Sequence, residues 1–464
     1  MVIALGVFCL LTIVGCQKQA TEETEEQPNP KEEVNPNKPN ANHLIIDQRI
    51  LGDTGKGSQI YDLIDAGDGG FLFSGVLDDR YVVGRSDLLG NIGWTRRLEY
   101  RGRDLVRIPV GAGQLTGAVL TVGGYDSNGD GRLDEGKVLL CSGSDGALMG
   151  DLTLHSTGHD VWFNTVELYS KTPDSSQFVA FGAAESLGVR CPLAVRFTVM
   201  NTGTISKGEE FLFRAMPSVV FSAARSDGGF PPSYYVRGHL YRNDSTISNI
   251  MVVGLSDSFS VRWTQEIVHR IGFTTSGEVG RGICLAGGNI IIVGETELEK
   301  EKNPAPYWWS AGLVASITQQ GAINWIKAVR LTDYSDAYYD CFVDGNTVWA
   351  TGMCSNYMNS PSQRMFGYGF LSKIDAAAGN VLSNMSFGDE GCETGHNSVI
   401  VSGNQAYCAG WTNYRISGGN YQSWIAEVNI SNPPAPSSQA IHPGPYRSDI
   451  HTEAMKAITR PANQ

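Results

Sequence analysis

A short apolar segment that ends in glycine recurs along this chain of 464 residues at a nearly constant interval. The distances between successive glycines are 48, 59, 56, 56, 58 and 58 residues. Self-similarity at such a period indicates an array of equivalent units that pack against their neighbours. The seven segments end at Gly75, Gly123, Gly182, Gly238, Gly294, Gly352 and Gly410.

Each unit contains the pattern of four short strands. A turn dipeptide such as Asp68-Gly69 precedes the glycine-ended segment in most units, and a second apolar run follows it. Turns that need a positive φ favour glycine and asparagine, so these dipeptides indicate hairpins. Another turn leads to an outer segment, which is clearest where it ends at Trp94, Trp263 and Trp325. Seven units of four antiparallel strands predict an all-β chain, a seven-bladed β-propeller over residues 44–430.

The last unit lacks an outer strand of its own. After the segment that ends near Val428 the chain reads NISNPPAPSS, and consecutive prolines cannot donate hydrogen bonds to a sheet. We expect the N-terminal segment LIIDQRIL, residues 44–51, to supply the missing strand and to leave no exposed edge. The alternative is closure by SQAIH at residues 438–442. Residues 431–464 form a Pro-rich C-terminal tail.

The N-terminus carries the features of an export signal. Residues 2–14 are apolar, and a run of this length is too short to span a bilayer but typical of a signal peptide. The run ends in Ile-Val-Gly-Cys at residues 13–16, which resembles the lipobox of bacterial lipoproteins. That resemblance implies that residues 1–16 are a lipoprotein signal peptide and that Cys16 is lipidated, with fatty acids such as palmitate as the membrane anchor.

The segment after Cys16 is acidic, rich in proline and asparagine, and free of aromatic residues. Residues 17–43 therefore cannot bury enough apolar surface to fold, and we expect a disordered tether. Its acidic start resembles the export signal that sends lipoproteins of Bacteroidota to the outer leaflet of the outer membrane. The resemblance implies a folded part that faces the medium at the cell surface.

Two motifs within the units resemble known propeller repeats. The pattern D-x-x-G-x-x-x-W from Asp87 to Trp94 resembles the repeat of PQQ-like propellers, a group that includes a lipoprotein of outer-membrane barrel assembly. The pattern D-G-G-F followed by an apolar pair, from Asp68 to Gly75, is similar to repeats of Bacteroidota surface propellers. Propellers include hydrolases, lyases, dehydrogenases and scaffolds, so the resemblance implies the fold and leaves the function to a site.

The sharpest candidate site is the acidic loop DSNGDGRLDEG at residues 126–136. Hard Ca²⁺ ions prefer several oxygen ligands, and this spacing lets such ligands converge around a glycine turn. The pattern resembles the calcium loops of integrin-type propeller hairpins, and we expect a structural calcium ion that clips the hairpin. The alternative is an acidic turn without an ion. The predicted ligands are Asp126, Asn128, Asp130, the carbonyl of Arg132, and Asp134.

Aromatic residues mark a second candidate site. The long loops 296–308, 354–367 and 411–423 fall between second and third strands, where propeller insertions often build a binding face. Exposed aromatic rings suit sugars or protein partners, although packing between neighbouring blades is the alternative for each ring. The candidates are Tyr307, Trp308, Tyr357, Trp411, Tyr414 and Tyr421.

Charge and motifs limit the function classes. A net charge of −13 argues against a nucleic-acid partner, because such binding depends on clustered basic residues. The sequence contains no metalloprotease, nucleophile-elbow or haem-attachment motif, so we assign no catalytic residue. We expect a non-catalytic surface lipoprotein, a binding or scaffold subunit of an outer-membrane complex for nutrient import or protein assembly and secretion.

Two alternatives stay open. One is a glycan-active hydrolase or lyase with its site at the mouth of the propeller channel, and the other is a glycan-binding module without turnover. A cluster of acidic or histidine side chains at that mouth would favour the enzyme.

Overall fold

A computed structural model describes most of the predicted propeller. The chain divides into two units, Met1–Pro39 and Asn40–Gln464, and all described residues belong to the second. The predicted signal peptide, Cys16, the tether and the segment 438–442 therefore lie outside the described residues. Those residues are 45–51, 56–88, 91–108, 115–128, 133–155, 159–186, 188–216, 219–229, 232–242, 246–267, 278–298, 309–329, 331, 335–356, 366–387, 394–412, 421–431 and 458–459.

Seven antiparallel sheets of four strands follow one another along the chain, which confirms the predicted seven-bladed propeller. Blade 1 consists of β2 (Gln59–Asp65), β3 (Gly70–Leu77), β4 (Arg80–Asp87) and β5 (Ile92–Arg97), and blade 2 of β6 (Arg101–Arg107), β7 (Val119–Tyr125), β8 (Glu135–Cys141) and β9 (Leu148–Leu154). Blade 3 consists of β10 (Asp160–Lys171), β11 (Ser175–Ser186), β12 (Val189–Met200) and β13 (Ile205–Leu212), and blade 4 of β14 (Val219–Ser226), β15 (Tyr234–Arg242), β16 (Thr246–Leu255) and β17 (Val261–Ile267). Blade 5 consists of β18 (Glu278–Ala286), β19 (Asn289–Leu298), β20 (Trp309–Thr318) and β21 (Ile323–Val329). Blade 6 consists of β22 (Ser335–Asp344), β23 (Thr347–Asn356), β24 (Phe366–Asp375) and β25 (Val381–Phe387), and blade 7 of β26 (Thr394–Ser402), β27 (Gln405–Thr412), β28 (Gln422–Asn429) and β1 (Ile45–Leu51).

A strand near each end of the chain pairs with a blade whose other strands are distant in the sequence. The strand β1 pairs antiparallel with β28, with Arg49 opposite Ile425 and Leu51 opposite Ser423. A two-residue strand, β29 (Ile458–Thr459), pairs with the outer edge of β17 in blade 4. The described residues contain no helix with the length and hydrophobicity that a membrane crossing needs.

The hydrophobic core lies between the blades. The described residues form seven clusters of buried apolar side chains, and each cluster combines residues of two adjacent blades. Between blades 7 and 1, for example, Phe71 packs against Tyr407 with ring centroids 4.7 Å apart. Because each blade contributes to a cluster on both of its sides, the sheets form a closed ring around a central channel.

Three tryptophans near the start of outer strands, rather than at their ends as the sequence indicates, connect neighbouring blades. Trp263 Nε1 donates a hydrogen bond to the carbonyl of Gln319 at 2.9 Å, and its ring lies where a side chain at Gly321 would be. Gly321 has φ of 91°, so the turn of the next blade needs a glycine for its conformation as well. The equivalent bonds are Trp94 Nε1 to the Gly143 carbonyl at 3.1 Å and Trp325 Nε1 to the Ala377 carbonyl at 3.0 Å.

Every innermost strand carries a bulge of one extra residue opposite the glycine that ends the recurrent segment. A Cβ atom at Gly182 would lie 1.9 Å from the carbonyl oxygen of Trp162, so no larger residue fits there. The extra residues, called here the bulge residues, are Tyr61, Arg103, Asn164, Ser222, Arg281, Tyr339 and Asn397.

We expect Gly182→Ala to destabilise the propeller by about 1–3 kcal/mol or more, because the added methyl group would push β10 away from β11. Gly93→Ala is the matched control, since a Cβ there would lie 3.6 Å from its nearest neighbour. Chemical denaturation of both variants measures the difference. Equal stability of the two variants would show that the bulge does not require the glycine.

Candidate functional site

The seven bulge residues lie around one mouth of the central channel. Each bulge is close to the start of an innermost strand, so all seven lie at the end of the ring where the blades connect to one another. Together they line a cavity of about 400 Å³, called here the channel mouth, whose volume is typical of small-molecule sites. The lining also includes Trp162, Arg190, Arg237 and His239.

Among the described residues, the lining of the channel mouth carries four guanidinium groups and no carboxylate. Two of these groups have acidic neighbours just outside the lining. Arg190 Nε lies 2.7 Å from Glu185 Oε2, and Arg281 Nη2 lies 2.6 Å from Glu295 Oε1. The whole chain has a net charge of −13, so the positive charge at the channel mouth is a local concentration.

Arg103, the bulge residue of blade 2, forms no hydrogen bond or ion pair with the described residues, and its buried Nε has no acceptor there. Its Cζ lies 5.9 Å from the centroid of Tyr61, and Arg101 Cζ lies 5.5 Å from the same centroid. Burial, and then the charge of Arg101, lower the pKa of Arg103 to about 10. The group is still a cation at neutral pH, and a negative ligand beside it would be stabilised.

His239 is a neutral hydrogen-bond donor at the channel mouth. Arg237 Nη1 lies 3.0 Å from His239 Nε2, and because a guanidinium only donates, this contact assigns the ring proton to Nδ1. Nδ1 has no partner among the described residues. Burial, and then the charge of Arg237, lower the pKa of His239 well below its usual value. With Nε2 occupied and Nδ1 protonated, the imidazole is not placed to act as a general base.

Aromatic rings hold the guanidinium groups of the channel mouth in position. Arg281 Cζ lies 4.6 Å from the centroid of Tyr339, a distance at which a cation and a ring attract each other. Trp411 of the next blade packs on Tyr339 with centroids 5.7 Å apart and an interplanar angle of 31°. Trp162 and Tyr61 complete the apolar part of the lining.

A second group of charged side chains, called here the wall cluster, lies farther along the channel. It consists of Asp62, Asp104, Glu167, Arg225 and Asp340. Arg225 Nη1 lies 3.0 Å from Glu167 Oε1, and Asp62 hydrogen-bonds with Asp104. Arg225 keeps 42% of its side-chain surface accessible because it faces the channel, although blades surround it on every side.

The carboxyl groups of the wall cluster also join adjacent blades. Each of three aspartates follows a bulge directly and accepts a hydrogen bond from a backbone N–H in the next blade. That N–H belongs in every case to the second residue after the bulge. The pairs are Asp62 Oδ2 with Leu105 N at 3.0 Å, Asp104 Oδ2 with Val166 N at 2.8 Å, and Asp340 Oδ2 with Val399 N at 3.1 Å.

Blade 5 is joined to its neighbours by other contacts, because its bulge is followed by Gly282, which has no side chain to accept a bond. On one side, Arg237 Nη2 of blade 4 donates to the carbonyl of Arg281 at 2.7 Å. On the other side, the buried sulfur atoms of Cys284 and Cys341 lie 2.8 Å apart. The ring therefore has a polar or sulfur contact at both junctions of blade 5.

Burial sets the charge of the wall cluster. It raises the pKa of Glu167 to about 7 and that of Asp340 to about 6, although Arg225 acts in the opposite direction on both. Burial, and then Asp104, raise the pKa of Asp62 well above its usual value. Burial alone would lower the pKa of Arg225, but the carboxylates around it outweigh that effect and raise the pKa. Arg225 is therefore charged at all physiological pH values, whereas Glu167 and Asp340 change protonation state near pH 7 and pH 6.

We expect the free energy of unfolding of the wild type to fall as the pH rises from 4.5 to 7. The ionisation of Asp340 alone should account for a loss of about 2 kcal/mol. The folded state binds the Asp340 proton more tightly than the unfolded chain does, so this stability is present at low pH and lost as the pH passes about 6. Asp340→Asn keeps an acceptor oxygen and cannot ionise, so its free energy of unfolding should fall less over this range. Denaturant titrations at several pH values measure both slopes. Parallel slopes would contradict the raised pKa of Asp340.

The predicted calcium loop joins β7 and β8, the second and third strands of blade 2, but only part of it lies within the described residues. Asp130 and Arg132 lie outside them. Asp134 accepts hydrogen bonds from Ser127 N and Ser127 Oγ, each at 2.7 Å. Although burial acts in the opposite direction, these bonds hold the pKa of Asp134 below its usual value, so the carboxylate is ionised. Its charge and position suit a hard cation, and the calcium ion stays a prediction.

The predicted aromatic residues are only partly described. Trp411 lies behind Tyr339 of the channel mouth, and Tyr421 is 37% exposed just before β28. The other four candidates, Tyr307, Trp308, Tyr357 and Tyr414, lie outside the described residues.

Sequence reasoning missed the bulge residues, which form the cavity. The seven bulge residues are two tyrosines, two arginines, two asparagines and one serine, so no single residue type marks the position in the sequence. A spacing signal exists in the last three blades, where the bulge residue stands thirteen positions before the recurrent glycine. These pairs are Arg281 with Gly294, Tyr339 with Gly352, and Asn397 with Gly410.

No protein-family model and no curated protein sequence matches this chain. Solved structures resemble its fold at low sequence identity. The polysaccharide lyase Uly1 is 9% identical, with a TM-score of 0.48 over 81% of this chain and 90% of that chain. The α-L-arabinofuranosidase Arb93A of Fusarium graminearum, solved with an iminosugar inhibitor, is 10% identical, with a TM-score of 0.40 over 84% and 99%. The quinohemoprotein alcohol dehydrogenase ADHIIG of Pseudomonas putida is 9% identical, with a TM-score of 0.42 over 84% and 77%.

These neighbours differ in activity, so they assign none to this chain. Its strand order shows a β-propeller, and its resemblance to Bacteroidota surface lipoproteins stays a prediction.

Proposed function

We propose that this propeller is a non-catalytic binding subunit, held at the cell surface by a lipid on Cys16, and that its ligand binds at the channel mouth. The observation that carries the proposal is the lining of that cavity. All seven blades contribute a bulge residue to it, and its polar groups are hydrogen-bond donors and amides, with no carboxylate among the described lining residues. Such a surface can hold a ligand, but it lacks the acid and base that hydrolysis of a glycosidic bond needs.

The carboxyls of the wall cluster do not replace the missing acid and base. Asp62, Asp104 and Asp340 accept backbone hydrogen bonds from neighbouring blades, so they maintain the ring. Glycosidases instead use two carboxyl groups that stand about 5–10 Å apart on either side of the scissile bond. Asp62 and Asp104 hydrogen-bond with each other, which leaves no space for a sugar between them.

A polysaccharide panel tests the proposal with the full chain in detergent. Affinity electrophoresis measures binding, and release of reducing ends or unsaturated sugars measures turnover on the same samples. We expect binding without products, loss of binding in Tyr339→Ala, and normal binding in Arg262→Ala, whose residue lies on the outer strand β17 of blade 4 and does not line the channel mouth. Products that disappear in Asp104→Asn would contradict the proposal and favour the enzyme. Fatty-acid labelling that is lost in Cys16→Ala checks the anchor.

We also propose that calcium clips the β7–β8 hairpin, with Asp126, Asn128, Asp130, Arg132 and Asp134 as ligands. The ionised Asp134 carboxylate beside Ser127 supports this proposal. The ion would be structural and would not take part in binding at the channel mouth.

A chelator should lower the melting temperature of the wild-type protein, and Asp130→Ala should abolish this response because it removes a ligand. Asp145→Ala is the matched control, since Asp145 lies in a different acidic turn, where it accepts a bond from Ala147 N at 3.1 Å. Differential scanning calorimetry with and without chelator measures the shift. A melting temperature that the chelator leaves unchanged would argue against an ion in the loop.

A further inference from the structure

We infer that the ligand of the channel mouth is an acidic oligosaccharide, a chain of sugar rings whose negative group is bound by Arg103 and Arg281. This inference rests on the proposed function and adds the chemical class of the ligand. Three properties of the channel mouth carry it: its unbalanced charge, its amide acceptors and its aromatic surface.

The charge indicates an anion. Arg103 reaches the cavity with no carboxylate partner among the described residues, and its closest charged neighbour is another cation, Arg101. Holding two guanidinium groups together costs free energy unless an anion is bound between or beside them. A planar guanidinium fork matches an oxyanion with two parallel hydrogen bonds, which is why arginine is the usual residue for such groups. Arg281 is exposed in the same cavity and adds a second guanidinium group, although its Nη2 also forms an ion pair with Glu295 Oε1 at 2.6 Å.

The amide groups indicate hydroxyls. Asn164 Nδ2 donates to the carbonyl of Phe221 at 2.7 Å, and Asn397 Nδ2 donates to the carbonyl of Ile60 at 2.6 Å. These bonds fix the orientation of both amides, each nitrogen keeps one further N–H, and neither oxygen accepts a bond from a described residue. An amide oxygen accepts but does not donate, so it cannot bind an oxyanion. It can bind a hydroxyl group, and a sugar carries hydroxyls beside its acidic group.

The aromatic residues indicate rings with an apolar face. Trp162, Tyr61 and Tyr339 lie around the same cavity as the arginines and amides. Flat aromatic surface next to polar groups suits sugar rings, which have C–H faces and hydroxyl edges. A free inorganic anion would use the arginines alone. An acidic peptide would not need fixed hydroxyl acceptors, so the combination favours a saccharide.

The test uses the full chain and calorimetric titration with trigalacturonate. Its methyl ester is the matched ligand, because esterification removes the charge and keeps the rings. We expect trigalacturonate to bind, the ester to bind at least tenfold more weakly, and Arg103→Ala to weaken acid binding by about 10- to 100-fold. Arg262→Ala, on the outer strand β17, should bind as the wild type does. Melting temperatures of both variants show that they are folded.

Further ligands separate the outcomes. A sulfated galactose oligomer that binds in place of the uronate, with the same loss in Arg103→Ala, would support the inference and identify sulfate as the acidic group. Equal affinity for acid and ester would overturn the inference while leaving the proposed binding function intact. Tetra-aspartate that binds as tightly as trigalacturonate would also overturn it, in favour of a peptide ligand. Turnover of trigalacturonate would instead contradict the non-catalytic function and leave the acidic ligand in place.

Discussion

In every blade the innermost strand bulges by one extra residue near its start, and the partner strand meets this residue with a glycine. The close approach leaves no space for a Cβ atom on the facing strand, as at Gly352, where it would lie 1.9 Å from the Ala337 carbonyl. A bulge turns its extra side chain out of the regular alternation of a strand. Repeated seven times around an axis, this device lines one mouth of the channel with a side chain from each blade.

The same bulges separate two kinds of charge along the channel. The bulge residues include arginines and no acids, whereas the next residue is an aspartate in three blades and accepts a hydrogen bond from the following blade. The aspartates of the wall cluster therefore join neighbouring blades. The charge of Arg225 offsets their negative charge, and the raised pKa values of Glu167 and Asp340 reduce it further. The aspartates that join the blades and the arginines of the channel mouth lie close in sequence, so aspartates in the channel do not by themselves indicate catalysis.

The sequence predicts the fold well, because the fold repeats. Each recurrent glycine marks one strand, and counting the seven glycines predicts seven blades. The turn dipeptides, and tryptophans such as Trp94 and Trp263, mark further turns and strands in the units that contain them. The candidate site could not be predicted in the same way, because the bulge residues that line it differ in type from blade to blade. Arg103 is not distinguishable from Arg101 in the sequence, and only the register of β6 against β7 shows which of them is the bulge residue.

Arginine modification by a dicarbonyl reagent, with peptide mapping in the presence and absence of trigalacturonate, tests most directly whether the channel mouth is the binding site. We expect the ligand to protect Arg103 and Arg281, while Arg262 on the outer strand β17 reacts at the same rate with or without it. Unchanged modification of Arg103 and Arg281 under conditions in which the saccharide is bound would contradict this expectation.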